Sequence, residues 1–165
     1  MDPGLVRAAQ SGDAFALDEL IDALHPLVRR IAGRIAGAQA DDAAQEALLA
    51  IFRDLPKLRS PEAVISWSSA VTARTAMRVE RIDRRQRGQA STAEPEFLSP
   101  GVDFDALELT DVLSRLPARD HAVLVLRDLQ GLSEHDVADA LGVPLGTVKS
   151  RLHRARKRFR EEWNQ

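Results

Sequence analysis

The sequence predicts an all-α chain: two small helical domains joined by a flexible acidic linker. Three observations predict it. Apolar residues recur at helical spacing through most of the 165 residues, and no segment shows the sustained alternation of a half-buried strand. Between Gly88 and Ala106 the periodicity gives way to GQASTAEPEFLSPGVDFDA, with glycine, serine, proline and four acids, Glu94, Glu96, Asp103 and Asp105, but no basic residue. The stretch from Ser133 to Arg160 carries the punctuation of two helices at a sharp turn. The expected domains are therefore 1–87 and 107–165, with 88–106 as the linker.

Composition narrows the function classes. Tyrosine is absent and aromatic residues make up 4% of the chain, so the core must be built mainly from Leu, Ile, Val and Ala. Without cysteine the chain has no disulfides, no thiol redox sensing and none of the usual zinc clusters. No apolar run is long enough to span a bilayer, and the first residues lack a basic segment leading into an apolar one. A cytoplasmic protein without membrane insertion is expected. Nothing offers a nucleophile with its base, a metal cluster or a phosphate-cradling glycine loop, so no catalytic residue, metal or cofactor is expected.

The first helix is expected over Pro3 to Gln10, with Leu5, Val6 and Ala9 on its apolar face, and Ser11-Gly12-Asp13 breaks it. Asp13 suits the N-cap of the second, whose Phe15, Leu17, Leu20, Ile21 and Leu24 form a broad buried side ending near His25-Pro26. A third short helix, Leu27 to Gly37, repeats the pattern with Leu27, Ile31 and Ile35. His25 has no neighbouring His, Cys or paired carboxylate and reads as structural. The next helix opens at Asp41-Asp42, where carboxylates suit the positive end of the helix dipole. Its Ala44, Leu48, Ile51, Phe52 and Leu55 turn inward, which leaves Asp42, Gln45, Glu46 and Leu49 toward solvent or a partner.

Prolines and Ser60 make Leu55 to Pro61 a loop, followed by a long helix from Val64 to Arg87 with Ile65, Val71, Met77 and Val79 among its apolar positions. Trp67, near its start, either anchors the core or stacks on an exposed base. The helix finishes in Arg78, Arg81, Arg84, Arg85 and Arg87, which suit a phosphate backbone.

Past the linker, Leu109, Val112, Leu113 and Leu116 form one helical face up to Pro117, and Val123, Leu124, Leu126 and Leu129 form another before Gly131. Ser133 followed by Asp136 has the form of a capping box, so a helix should begin at Glu134, with Val137, Ala138 and Leu141 on one face. Gly142 falls where a positive φ ends that helix, and Pro144 suits the first position of the next. There Val148, Leu152, Ala155 and Phe159 make an apolar stripe, while Lys149, Arg151, Arg154, Arg156, Lys157, Arg158 and Arg160 come without an acid among them. A merely solvated charged face is the commoner meaning of such a run. Capped helix, turn glycine, proline and one-signed face together instead describe a helix-turn-helix with a phosphate-binding recognition helix.

These residues also carry a family resemblance. Leu113 to Arg160, LSRLPARDHAVLVLRDLQGLSEHDVADALGVPLGTVKSRLHRARKRFR, resembles region 4 of bacterial RNA polymerase sigma factors, and Gly142 to Arg156 resembles above all the extracytoplasmic-function (group IV) subfamily. That resemblance implies a helix laid in the major groove of the promoter's minus-35 element, with Leu145, Thr147, Lys149, Ser150 and Arg151 near base edges and phosphates and Arg154 and Lys157 further along the backbone. Asp42, two alanines, Gln45, Glu46 and the aliphatic run after them resemble region 2.2, which implies docking of Asp42, Gln45, Glu46 and Leu49 on the β′ subunit. By the same resemblance Ser60 and Pro61 lie in the loop that captures a flipped base of the minus-10 element. Trp67, Arg74, Arg78, Arg81, Arg84 and Arg85 fall in regions 2.3 and 2.4, which melt that element and hold its non-template strand.

Two departures, Thr75 where the family often has Asn and Arg78 where it often has Asp, bear on the promoter sequence read and not on the fold. The implied partners are the polymerase core through β′ and β, promoter DNA and an anti-sigma factor. Two other readings stay compatible with the residues alone: a stand-alone operator-binding regulator, and a sigma-like protein that occupies β′ or an anti-sigma factor without opening promoters.

Overall fold

A computed structural model describes residues 1–87, 112–113 and 115–163. The expected linker and Leu109 of the helix after it lie outside the described residues, within which every regular element is helical.

Helix α1 (Pro3–Gln10) is capped by Asp2, whose carboxylate accepts from the Gly4 N–H at 2.9 Å. Its last residue is an anchor: the Gln10 amide donates to the carbonyls of Leu55 (3.0 Å) and Leu58 (2.8 Å), tying α1 to the turn that begins at Leu55. Asp13 caps α2 (Ala14–Ala36) as its sequence position predicts, accepting from the N–H groups of Phe15 and Ala16.

The two helices expected on either side of His25-Pro26 are one continuous helix with Pro26 inside it. Proline removes one ladder hydrogen bond and disfavours a helix interior by ~3 kcal/mol. Leu20, Leu24, Val28, Ile31 and Ile35 form an unbroken buried stripe across the proline, each at most 4% exposed. Burying several such side chains at about 1.5–3 kcal/mol apiece outweighs that penalty. Pro26 itself sits on the exposed side.

A 3₁₀ turn leads into α3 (Ala40–Asp54), which packs on α2 through Ala43, Ala44, Ala47 and Ile51, and its three alanines are small enough to let the helices approach closely. Phe52, expected inward, is instead 48% exposed, and Leu48 only partly buried. The alanine side of α3 takes the core position, which turns Phe52 to its edge. The expected loop after it contains two short 3₁₀ turns, Leu55–Lys57 and Pro61–Ala63.

Helix α4 (Val64–Arg87) is the central strut. It packs against α2 and α3 on one side and against the C-terminal half on another, so that one cluster of buried residues runs through both halves. Four hydroxyl residues, Ser68, Ser69, Thr72 and Thr75, are buried along it. Ser69 donates to the Ile65 carbonyl (2.8 Å) and Thr72 to that of Ser68 (2.7 Å), which satisfies two of them within the helix.

The C-terminal half comprises α5 (Ala118–Leu124), which runs on into a π-helical segment (Val125–Leu129), then α6 (Glu134–Leu141) and α7 (Leu145–Trp163). The capping box is present in full: the Asp136 N–H donates to Ser133 Oγ (3.1 Å) and the Ser133 N–H to the Asp136 carboxylate (3.2 Å). Gly142 adopts φ 62°, ψ 40°, the left-handed cap expected of it. Pro144 stands one residue before α7 rather than within it, its carbonyl accepting from Thr147 and Val148. Ser133→Ala removes one half of the cap and should lower stability by ~1 kcal/mol in a urea melt, whereas Ser133→Asp should keep most of it.

Candidate nucleic-acid interface

Helix α7 divides into sectors. Val148, Leu152 and Ala155 are buried against the rest of the helix-turn-helix, and Phe159, half-buried, stacks on Trp163 at 5.7 Å. Basic residues flank this stripe and are engaged within the fold. Arg156 makes a two-pronged contact with Asp128 of the π segment, at 2.7 and 3.0 Å, and that hydrogen bonding raises its pKa further. On the other flank the buried carboxylate of Asp120 accepts from Arg158 at 3.3 Å and pairs with Arg154 at 3.6 Å. Arg151 lies half-buried beside the same group, its pKa lowered first by burial and then by Arg119.

The outward sector carries Lys149, Ser150 and Lys157, all exposed, with Lys157 3.8 Å from Glu161. Leu145 and Thr147 are half-buried at the start of the helix, and Ser150 Oγ donates to the Thr147 carbonyl at 3.0 Å. Of the seven residues expected to face DNA, Lys149, Ser150, Arg154 and Lys157 are therefore well exposed, Arg154 while paired with Asp120 of α5, and Arg151 is half-buried beside the same carboxylate. Exposed His153, absent from the sequence expectation, sits three residues after Ser150 and four before Lys157, in the middle of that sector. Helical spacing was the signal that could have found it.

A second surface lies on α3 and α4. Asp42, Gln45, Glu46 and Leu49 share one exposed face of α3, as the spacing predicts, and Leu49 (63% exposed) and Phe52 extend it into an apolar end. A cleft of about 330 Å³ between the helices is lined by Asp42, Gln45, Glu46, Arg78, Ile82 and Asp83. Glu46 and Arg78 form an ion pair across it, and Gln39 donates to Asp83 at 3.1 Å.

Arg74, Arg78, Arg81 and Arg85 recur at helical spacing as one exposed stripe along α4, while Arg84 beside it pairs with Glu80, whose pKa burial raises. Ser60 is exposed, but Pro61 is buried and lines no surface. Trp67 is half-buried and packs on the core. Among the described residues no group of three or more acidic or histidine side chains is arranged to hold a metal ion, and no helix is long and apolar enough to cross a membrane.

Comparison with known proteins gives these surfaces a family. Residues 20–88 match the family model of Sigma-70 region 2, and residues 106–159 that of Sigma-70 region 4. The chain is 36% identical to the ECF RNA polymerase sigma factor SigM of Mycobacterium tuberculosis, over 96% of this chain and 82% of that one. It is 32% identical to the RNA polymerase sigma-H factor of Pseudomonas aeruginosa, over 94% and 90%. Among solved structures, the fold is similar to the sigma factor RpoE in complex with the anti-sigma factor NepR from Bartonella quintana, with a TM-score of 0.74 and 21% identity over 90% of this chain and 96% of that one. It is also similar to CnrH in complex with the cytosolic domain of CnrY, with a TM-score of 0.67 and 22% identity over 97% and 95%. Two family models in the order region 2, region 4, together covering most of the chain, and relatives this similar over nearly its whole length establish that the chain belongs to the extracytoplasmic-function RNA polymerase sigma factors.

Proposed function

We propose that this chain is a promoter-specificity subunit: it binds the RNA polymerase core and directs transcription initiation at promoters bearing two elements at fixed spacing. It works in the cytoplasm and performs no catalysis of its own. The observation that carries the reading is the pairing of a region 2 and a region 4 in one chain, each with an exposed surface of the right chemistry. Domain boundaries at 87 and 107 follow from the same reading.

Residue by residue, Asp42, Gln45, Glu46 and Leu49, extended by Phe52, dock on β′, while β receives the C-terminal half. Arg74, Arg78, Arg81 and Arg85 follow the phosphates of the melted minus-10 element, with Arg84 and Ser60 at the margin. In the minus-35 major groove, Lys149, Ser150, His153 and Lys157 face base edges and phosphates, Arg154 approaches from the flank, and Leu145 and Thr147 sit at the helix entry. Arg151 acts mainly by supporting that flank. An anti-sigma factor is the expected inhibitory partner, since the similar solved structure of RpoE is of a sigma factor in complex with the anti-sigma factor NepR.

Run-off transcription tests the reading, with sigma-free core polymerase, fragmented source DNA and the purified chain. New transcripts sharing two upstream elements at constant spacing are expected. Stable core binding without transcripts would favour the sigma-like occupant of β′, and no core binding at all would favour the stand-alone regulator.

A further inference from the structure

The exposed face of α3 and the arginine stripe of α4 share one pair of side chains. Glu46 stands on the first with Asp42, Gln45 and Leu49, and Arg78 stands on the second with Arg74, Arg81 and Arg85. Each holds the other, in an ion pair that spans the cleft between the two helices. A guanidinium bound to a carboxylate has much of its charge answered before a phosphate can approach it, and the carboxylate is equally spoken for. While the pair stands, neither residue is fully available to an outside partner.

We propose that Glu46 and Arg78 form an exchange contact. In the free chain the carboxylate holds Arg78 off nucleic acid, and docking of polymerase core on the α3 face draws Glu46 away and releases Arg78 to the DNA strand. This deepens the function proposed above and rests on it. The strength of the pair suits the task. Its side chains are 46% and 48% exposed, and ion pairs in such surroundings are weak enough for an interface to displace, whereas a buried pair would resist.

The surrounding charges agree. Asp42, four residues before Glu46, lines the same cleft and lies on the same face of α3, so a basic partner surface there competes for both carboxylates. Asp83, on the α4 side of the cleft, accepts from Gln39 at 3.1 Å, and Glu80 is paired with Arg84. Glu46 is thus the acid that reaches across to the stripe, and Arg78 the member of the stripe that it withholds. Position 78 is also one where the family often has Asp, which could not pair with Glu46. The exchange is therefore a property of this chain and not of the family at large.

Coupling of this kind is reciprocal: if Glu46 weakens the grip on DNA through Arg78, Arg78 must weaken the grip on core through Glu46 by the same factor. The test compares four full-length chains: unsubstituted, Glu46→Gln, Arg78→Gln and the double variant. Both positions are exposed, so all four should fold, with matching circular dichroism melts as the check. Anisotropy of a short fluorescent oligothymidylate strand measures the first grip, without polymerase. Glu46→Gln should tighten that binding about two- to fivefold and steepen its logarithmic salt dependence by about 0.7, the mark of one further phosphate neutralised on a single strand. Most of both gains should disappear when Arg78→Gln is added. Purified sigma-free core measures the second grip. Arg78→Gln should tighten core binding about two- to fivefold, and that gain should disappear in the double variant. Gains that persist undiminished in the double variant would reflect net charge alone and would overturn the exchange, as would the absence of either gain. If the unsubstituted chain fails to bind core, the function proposed above falls and the exchange with it, whereas core binding that Arg78→Gln leaves unchanged removes the exchange alone.

Discussion

Leu152→Ala should lower the free energy of unfolding by about 2–5 kcal/mol, a large share of the 5–15 kcal/mol typical of a natural domain. Leu152 is 2% exposed and faces inward from α7 between Val148 and Ala155, so truncation leaves a cavity that the neighbouring short side chains cannot fill. The check is a urea titration followed by circular dichroism, with Leu49→Ala as control. Leu49 is 63% exposed, and its truncation should change stability by less than about 0.5 kcal/mol. One buried cluster runs through both halves, so the loss should be felt across the chain and not by the helix-turn-helix alone.

Reversing the acidic face of α3 should have the largest functional effect. Asp42→Lys with Glu46→Lys puts two cations where β′ is proposed to dock, and like-charge juxtaposition at an interface costs several kcal/mol, which corresponds to a loss of core affinity of about 100-fold or more. Fluorescence anisotropy of the labelled chain with core polymerase measures it. Both positions are exposed, so the fold should persist, and an unchanged circular dichroism melt is the companion result. An affinity within threefold of the starting chain would show that core polymerase does not use this face.

The helix-turn-helix was legible because its determinants are local. The capping box of Ser133 and Asp136 and the left-handed Gly142 are settled within a few residues, and the stripe of Val148, Leu152 and Ala155 needs only helical spacing. Pro26 was misread for the opposite reason: whether a proline breaks a helix depends on how much burial continues beyond it, which is a tertiary quantity. Periodicity likewise placed Phe52 on the apolar side of α3, but only the position of α4 decides which edge of that side is covered.

At the recognition helix the sequence showed seven basic residues, Lys149 to Arg160, with no acid among them. Asp120 and Asp128, which hold three of them, come from elements far away in the chain. Exposed polar faces such as Asp42, Gln45 and Glu46 were readable from spacing. The burial of α4 beneath the other half was not, because its Ser68, Thr72 and Thr75 resemble a surface and are covered only by tertiary packing.

Those two aspartates also bear on how the protein finds its target. Adhesion to arbitrary DNA grows with every phosphate a protein neutralises, and it weakens steeply with salt in proportion to that number. Because Arg156 is held by Asp128, while Arg154 and Arg158 share Asp120, the helix meets a duplex with fewer unengaged cations than its composition announces. A chain of this design should adhere to the bulk of a genome less than seven unengaged cations would make it. It stays available to the polymerase, and its grip on DNA comes to depend on the second element that only the assembled enzyme can present.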